Sequence, residues 1–259
     1  MFPIRKNIVD PNISIKPIHK LKVFVHTDKL NRKQTCKKLV RSKRSLREIR
    51  NFKAVSGKPY VARLDSLTKD SEFYYLYMDY YKNGNLYDYI CCHQLNEKEI
   101  RNIILQVLIA IKNCHDLRII HGDIKLENFI VNDDKFINLI DFGCSQNVNH
   151  NEDYIFCRQG TVLYMSPEMI ESKIHLKSDI WAVGIIMYFL LFHVFPFDDI
   201  SNSPNLVWHK ILSQKVVFDK SIYSENCNDF LNLVLQKNLN CRMSVDQALS
   251  HKWFRPLDL

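Results

Sequence analysis

Glycine is scarce in this sequence: there are six in 259 residues, and none precedes Gly57. The first part of the chain therefore cannot build a glycine-rich loop whose backbone amides approach a phosphate closely. Paired cysteines are missing too. The eight cysteines, at 36, 91, 92, 114, 144, 157, 227 and 241, form no Cys-x-x-Cys pair and no His/Cys cluster at zinc spacing. That pattern argues against a zinc site or a disulfide framework and leaves reduced thiols that mostly pack. No apolar signal segment opens the chain, and no repeat or low-complexity tract interrupts it. An intracellular protein is expected. One apolar run, Ile180 to Phe197, approaches the length of a bilayer span. It holds His193 and Pro196, abuts Asp179 and stands alone, so it reads as a fully buried central helix, and no membrane association is expected.

A 46% hydrophobic content over this length supports a sizeable core, as one large domain or two small lobes sharing a cleft. Charge is uneven. Residues 1–60 carry 17 Lys/Arg against 3 Asp/Glu, a net +14, whereas residues 61–259 carry a net −6. The cationic quarter is either a solvated face or a surface for polyanions such as nucleic acid. Both readings stay open, because no aromatic interleaving or nucleic-acid motif sharpens the second.

Pro3, Pro11 and Pro17 argue against a long element in residues 1–20. Leu21 to His26 alternates like a strand, and Lys33 to Val40 is expected to return beside it across an Asp28-to-Arg32 turn. Residues 45–55 space Leu46, Ile49 and Phe52 as a helix, and strands are predicted at 60–67 and 73–79. Beyond Leu86 the pattern turns helical: 86–92, then Glu97 to His115 with Ile100, Ile103, Ile104, Val107, Leu108 and Ile111 on one face. Residues 119–143 read as short strands and turns. Further helices are predicted at 166–172, 178–193, 205–214, 227–237 and 244–251. A small strand-rich lobe joined near Asp79–Gly84 to a larger helical lobe leaves a cleft between them, where small-molecule sites commonly lie.

The chemistry-bearing residues concentrate beside that junction. Residues 120–128 read IHGDIKLEN and residues 140–143 read IDFG; Gly160-Thr161 and Ser166-Pro167-Glu168 follow. An Asp, a Lys, an Asn and a second Asp at this spacing suit phosphoryl transfer, where positioning and charge neutralisation do most of the work.

Four motifs in this order give the chain a resemblance to eukaryotic-type protein kinases over about residues 15–255. The resemblance implies an α+β, two-lobed fold in a single domain over 1–259, with the N-lobe at about 1–80, the hinge at about 79–84 and the C-lobe at about 85–259. It implies a serine/threonine protein kinase using ATP and Mg²⁺, because Lys125 and Thr161 match that class rather than tyrosine kinases. Carried over residue by residue, Asp123 would accept or orient the substrate hydroxyl's proton, Lys125 would reach the transferring phosphate, and Thr161 would contact both. Asn128 and Asp141 would hold the metal with oxygen ligands. Lys37, with Lys38 as the adjacent alternative, would contact the nucleotide's phosphates, and Glu48 would pair with it. Met78 would guard the back of the nucleotide pocket, Asp79 and Tyr81 would lie in the hinge, and Ile130 would line the adenine site. Phe52, Leu64, His121 and Phe142 would stack between the lobes, Asp179 would brace the catalytic loop, and Glu168 would pair with Arg242.

The sequence also departs from that family. The nucleotide-covering segment, Ile15 to Lys22, has no glycine and contains Pro17, which lacks an amide donor. Either Lys16, Lys20 and Lys22 supply side-chain charge instead, or the chain is a pseudokinase acting as a mimic or scaffold. Gly122 stands where the family carries Arg, and Cys157 stands at the usual phosphoacceptor, so activity without activation-loop phosphorylation is expected. Thr35-Cys36-Lys37 replaces an Ala-Ile-Lys type, and only eleven residues separate Lys37 from Glu48. Glu127 matches an acidic residue that favours Arg near the acceptor, but its companion positions are Asn85 and Phe189. Compact length, the shortened helix that the short Lys37–Glu48 interval implies and the wording Asp-Ile-Lys-Leu-Glu-Asn are similar to small viral kinases of the baculovirus late type. That likeness implies an Arg-rich, protamine-like DNA-packaging substrate, in the cytoplasm or nucleus of a host cell.

Overall fold

The computed structural model describes residues 23–27, 32–132, 134, 136–149, 154–157, 159–200 and 203–255. The Ile15–Lys22 segment and most of the Asp28–Arg32 turn lie outside them.

Strands β1 (Val23–Thr27) and β2 (Lys33–Val40) are followed by helix α1 (Lys43–Val55), then by β3 (Leu64–Lys69) and β4 (Phe73–Asp79). The sheet order is β1-β2-β4-β3, antiparallel throughout. Only Arg41 and Ser42 separate β2 from α1. Ser42 accepts a hydrogen bond from the Ser45 amide, which starts the helix two residues before the predicted position.

The predicted strand at 60–67 is displaced to Leu64–Lys69, and the reason is a competing partner. The Leu139 amide donates to Tyr60 O at 2.9 Å, and the Ala62 amide donates to Leu139 O at 3.0 Å. Residues 60–62 are thus sewn to the second lobe instead of the sheet, and Tyr60 takes a left-handed φ of 59° at the bend.

The larger part is helical. It contains α2 (Leu86–Ile90), α3 (Glu97–His115), β5 (Ile119–Ile120), β6 (Phe129–Val131), β7 (Ile137–Leu139), β8 (Gln146–Asn147) and β9 (Ile155–Phe156). After these come α4 (Pro167–Ile170), β10 (Lys173–Ile174), α5 (Leu176–Phe192), α6 (Pro204–Ser213), α7 (Glu225–Val234) and α8 (Val245–Leu249). An Asn96/Glu99 capping box opens α3 where its apolar periodicity begins. In α5 every residue from Ser178 to Leu191 is buried, as expected for a helix that is apolar all round. No helix among the described residues is long and apolar enough to cross a membrane. The small sheet lobe and the helical lobe give the two-lobed α+β arrangement that the sequence implied.

Candidate active site

β2 sends alternate side chains to opposite faces, and this separates the two adjacent lysines. Lys37 is largely buried, with Nζ 2.5 Å from Glu48 Oε1 of α1 and 2.7 Å from Asp141 Oδ1. Burial alone would pull its ammonium pKa down, but the charges of Asp141 and Glu48 outweigh burial and leave it above the ordinary value. Lys38 lies on the other face, its Nζ 3.7 Å from the Phe73 ring centroid and 5.7 Å from that of Tyr75.

Asp141 sits in the left-handed region at φ 61°, and its Oδ1 also accepts from the Gly143 amide at 3.0 Å. Burial would raise this carboxyl, but Lys37 beside it holds it below the usual carboxylate value. Phe142 then stacks on Phe52 of α1, with centroids 5.2 Å apart, and meets His121 edge-on at 5.0 Å. Leu64 is half-buried against the same core.

Asp123, Lys125, Asn128 and Thr161 form one network. Thr161 Oγ1 donates to Asp123 Oδ1 at 2.7 Å and accepts from Lys125 Nζ at 2.8 Å. Lys125 Nζ is also 2.8 Å from Asp123 Oδ2. Asn128, in the 3₁₀ turn Leu126–Asn128, donates its Nδ2 to Asp123 O at 2.8 Å. Asp179, buried in the first turn of α5, supports this loop: its oxygens accept from the amides of His121 and Gly122, each at 2.9 Å, and Oδ2 lies 2.9 Å from His115 Nε2. Glu168 accepts a bidentate pair from Arg242, at 2.7 and 3.0 Å.

The remaining expected positions lie where the lobes join. Met78 is buried in β4, and exposed Asp79 ends that strand opposite Gln34. Burial, with a smaller contribution from Asp79, raises the Tyr81 phenol. Ile130 is half-buried in β6, where it bridges Asn85. Glu127 accepts from the buried Tyr164 hydroxyl at 3.4 Å. Of its companions, Asn85 caps α2 and Phe189 packs into an aromatic group with Tyr87 and Phe195.

Sequence reasoning missed two contacts that tie α1 to the Asp-Phe-Gly segment. Arg44 Nε donates to Gly143 O at 3.0 Å, and the buried Asn51 donates Nδ2 to Ser145 Oγ at 2.9 Å. The signal was present, because Arg44, Glu48 and Asn51 share one helix face at i, i+4 and i+7. Gln146 and Gln159 were also missed; they carry no helical or strand pattern that would mark them.

Among the described residues no group of three His, Cys, Asp or Glu is gathered. The oxygen set nonetheless fits a hard cation that keeps water and phosphate ligands. The Asn128 nitrogen is committed to Asp123, and Asp141 Oδ1 to Lys37 and Gly143, which leaves one oxygen on each side chain to face a metal.

Comparison with known proteins gives a match to the protein kinase domain over residues 18–254. The chain is 30% identical over 220 residues to calcium-dependent protein kinase 27 of Arabidopsis thaliana, covering 81% of this chain and 45% of that protein. It is 33% identical over 201 residues to serine/threonine-protein kinase ppk16 of Schizosaccharomyces pombe, covering 76% of this chain and 30% of the relative. A third relative, SNF1-related protein kinase catalytic subunit alpha KIN12 of Arabidopsis thaliana, is 32% identical over 198 residues, covering 76% and 39%. The chain thus spans less than half the length of each of these relatives.

Proposed function

The chain belongs to the protein kinase family, and on that premise we propose that it transfers the γ-phosphoryl group of ATP to serine or threonine hydroxyls of protein substrates. One observation carries the reading: Thr161 Oγ1 joins Lys125 and Asp123, while Lys37 simultaneously engages Glu48 and Asp141. These contacts support a phosphoryl-transfer site because they bring the acceptor-side and nucleotide-side groups of that reading together in one conformation.

In this reading Asp123 orients the acceptor hydroxyl and takes its proton, and the adjacent Lys125 ammonium offsets charge on the transferring group. Lys37, fixed by Glu48, holds the nucleotide phosphates. The backbone of Asp79 and Tyr81 reads the base, with Met78 behind it and Ile130 beneath. Asn128 and Asp141 are the residues that would hold Mg²⁺, which supplies charge neutralisation between phosphate oxygens when bound.

Finer features belong to the same proposal. Gly122 and Cys157 remove both the arginine and the hydroxyl of a phosphate-dependent switch, so the enzyme acts without activation-loop phosphorylation. Glu127 and the net −6 of residues 61–259 favour basic, Arg-rich substrates such as a DNA-packaging protein. The viral affinity, with its cytoplasmic or nuclear host-cell setting, rests on the short interval between Lys37 and Glu48 and on catalytic-loop wording. A second reading, a pseudokinase scaffold, is favoured by one feature: the absence of glycine from Ile15–Lys22.

The deciding experiment is phosphotransfer from radiolabelled ATP to a basic protein, with wild type beside Asp123→Asn. Transfer by the wild type that falls at least about 100-fold in the variant is expected. Transfer absent from both supports the scaffold. Phosphatase-treated bacterial protein is expected to match untreated protein; a loss of activity on treatment, restored by phosphate on residues 144–165, would overturn the regulatory part.

A further inference from the structure

The stretch from the Asp-Phe-Gly segment to Thr161 must leave the catalytic loop and return to it. Its two ends meet above Gly122. The Gln159 Nε2 amide donates to the carbonyl of Cys144, and Gln146 Nε2 lies 3.5 Å from both Gln159 Oε1 and Cys157 Sγ. Gln146 is buried within β8. The Cys157 amide donates to Ser172 O at 2.8 Å, which anchors the returning strand β9 beside β10.

Gly122 is what makes room for this contact. A Cβ there would stand 2.9 Å from Cys144 O, 2.9 Å from Ile174 Cδ1 and 3.2 Å from Gln159 Nε2, and the residue's φ is +75°. Gly160, at φ +108°, closes the other side, where a Cβ would stand 3.2 Å from Gly122 O and 2.9 Å from Met169 Cε. The space above residue 122 is thus filled by the carboxamide of Gln159, and the next two residues are Gly160 and Thr161. A displaced Gln159 would displace Thr161, whose hydroxyl holds Asp123 and Lys125 together.

We propose that Gln159 is a positioning residue, whose neutral amide staples the two ends of this segment over Gly122 and so sets Thr161 against Asp123 and Lys125. The inference rests on the kinase reading above and deepens it, naming the group that orders the loop without phosphate. A carboxamide suits the task because it donates to Cys144 O and accepts from Gln146 with no charge to desolvate.

The test compares wild type with Gln159→Glu, which keeps the shape but loses the N–H donor; with Gln159→Ala, which adds no charge; and with Gln159→Lys, which keeps a donor of similar reach. In phosphotransfer kinetics, kcat is expected to fall about tenfold in the Glu and Ala variants while KM for ATP stays within about twofold, because the nucleotide side of the site is untouched. Gln159→Lys should stay below half of the wild-type kcat, because its ammonium brings a charge to desolvate and offers Gln146 no acceptor; wild-type kcat in that variant would overturn the requirement for a neutral amide. Wild-type kcat in the Glu and Ala variants would overturn the proposal. Amide hydrogen exchange at residues 160–164 reads the staple independently of activity, and about tenfold faster exchange in Gln159→Glu is expected. If the wild type transfers no phosphate, the kinase reading fails; unchanged exchange would then overturn the staple as well, and faster exchange would sustain it as the element that orders Thr161.

Discussion

Lys37 and Lys38 are identical in chemistry and adjacent in sequence, yet strand geometry gives them opposite surroundings. Lys37 enters a cluster with Glu48 and Asp141, whereas Lys38 lies over Phe73 and Tyr75 on the far face of the sheet. A Lys37→Met variant is therefore expected to lose about 100-fold or more in phosphotransfer, the scale seen when one preorganised charge-stabilising donor is removed. Lys38→Met should lose cation–π contacts worth about 0.5–2 kcal/mol at a half-buried site and keep nearly full activity. Side-by-side steady-state kinetics check this, and equal losses would refute the assignment. Thr161 makes a related point about residues: the hydroxyl expected to contact Asp123 and Lys125 stands between them, linking a carboxylate to an ammonium.

Among the elements, α1 and α5 carry most of the positional information. α1 is held at three points on one face, by Arg44 to Gly143 O, Glu48 to Lys37 and Asn51 to Ser145, with Phe52 stacked on Phe142 beside them. Helix α5 places Asp179 under the catalytic loop and packs tightly against α7. A Cβ on Gly184 would stand 2.6 Å from Leu235 Cγ and Cδ2 and 2.9 Å from Val234 Cγ2. Two effects of Gly184→Ala oppose each other. Helix propensity favours alanine by about 1 kcal/mol, and overpacking a well-filled core costs about 1–3 kcal/mol. Three contacts this short put the cost at the upper end, so a net loss of about 2 kcal/mol is expected. Thermal unfolding should show it as a Tm about 4–8 °C lower, and an unchanged or raised Tm would mean that α7 yields.

Across the whole molecule, the buried Glu168–Arg242 pair ties α4 to the turn before α8, and Ser178 Oγ donates to Glu168 at 2.6 Å. Arg242 is almost wholly enclosed and lies 5.1 Å from the Trp181 ring centroid. Burial would push the Glu168 carboxyl up, but the hydrogen bonds and charge of Arg242 outweigh it and hold the group below its ordinary value. Its stabilisation is therefore fully present above the unfolded value of about 4.3 and lost as pH falls through the lower folded value. Glu168→Gln leaves a buried guanidinium unpaired, at a cost of about 3–5 kcal/mol. The Tm gap between wild type and variant should stay constant from pH 7 to 5 and narrow progressively once pH falls below the unfolded value of about 4.3; a gap that narrows instead between pH 7 and 5 would refute the linkage. Charge asymmetry belongs to this scale too. A polyanion role for residues 1–60 requires heparin or DNA binding that weakens steeply between about 50 and 200 mM salt, and no binding at low salt leaves a solvated face.

The catalytic-loop residues, the Asp-Phe-Gly segment, the long helix α3 and the buried helix α5 were legible in the sequence because each depends on local spacing or on unbroken hydrophobic periodicity. Helix boundaries followed to within a few residues wherever a cap was present, as at Asn96 and Ser224. Tertiary structure alone decided the rest. Residues 60–62 have strand-like composition but bond to Leu139, a partner far along the chain that no local pattern announces. The same holds for Arg44 and Asn51, whose acceptors at residues 143 and 145 become neighbours only after the lobes have come together, and for Gln159, which meets Cys144 only once the chain between them has folded back. Periodicity reports which face a residue occupies; which group waits opposite that face depends on chain closure over long separations, and that is settled only by packing.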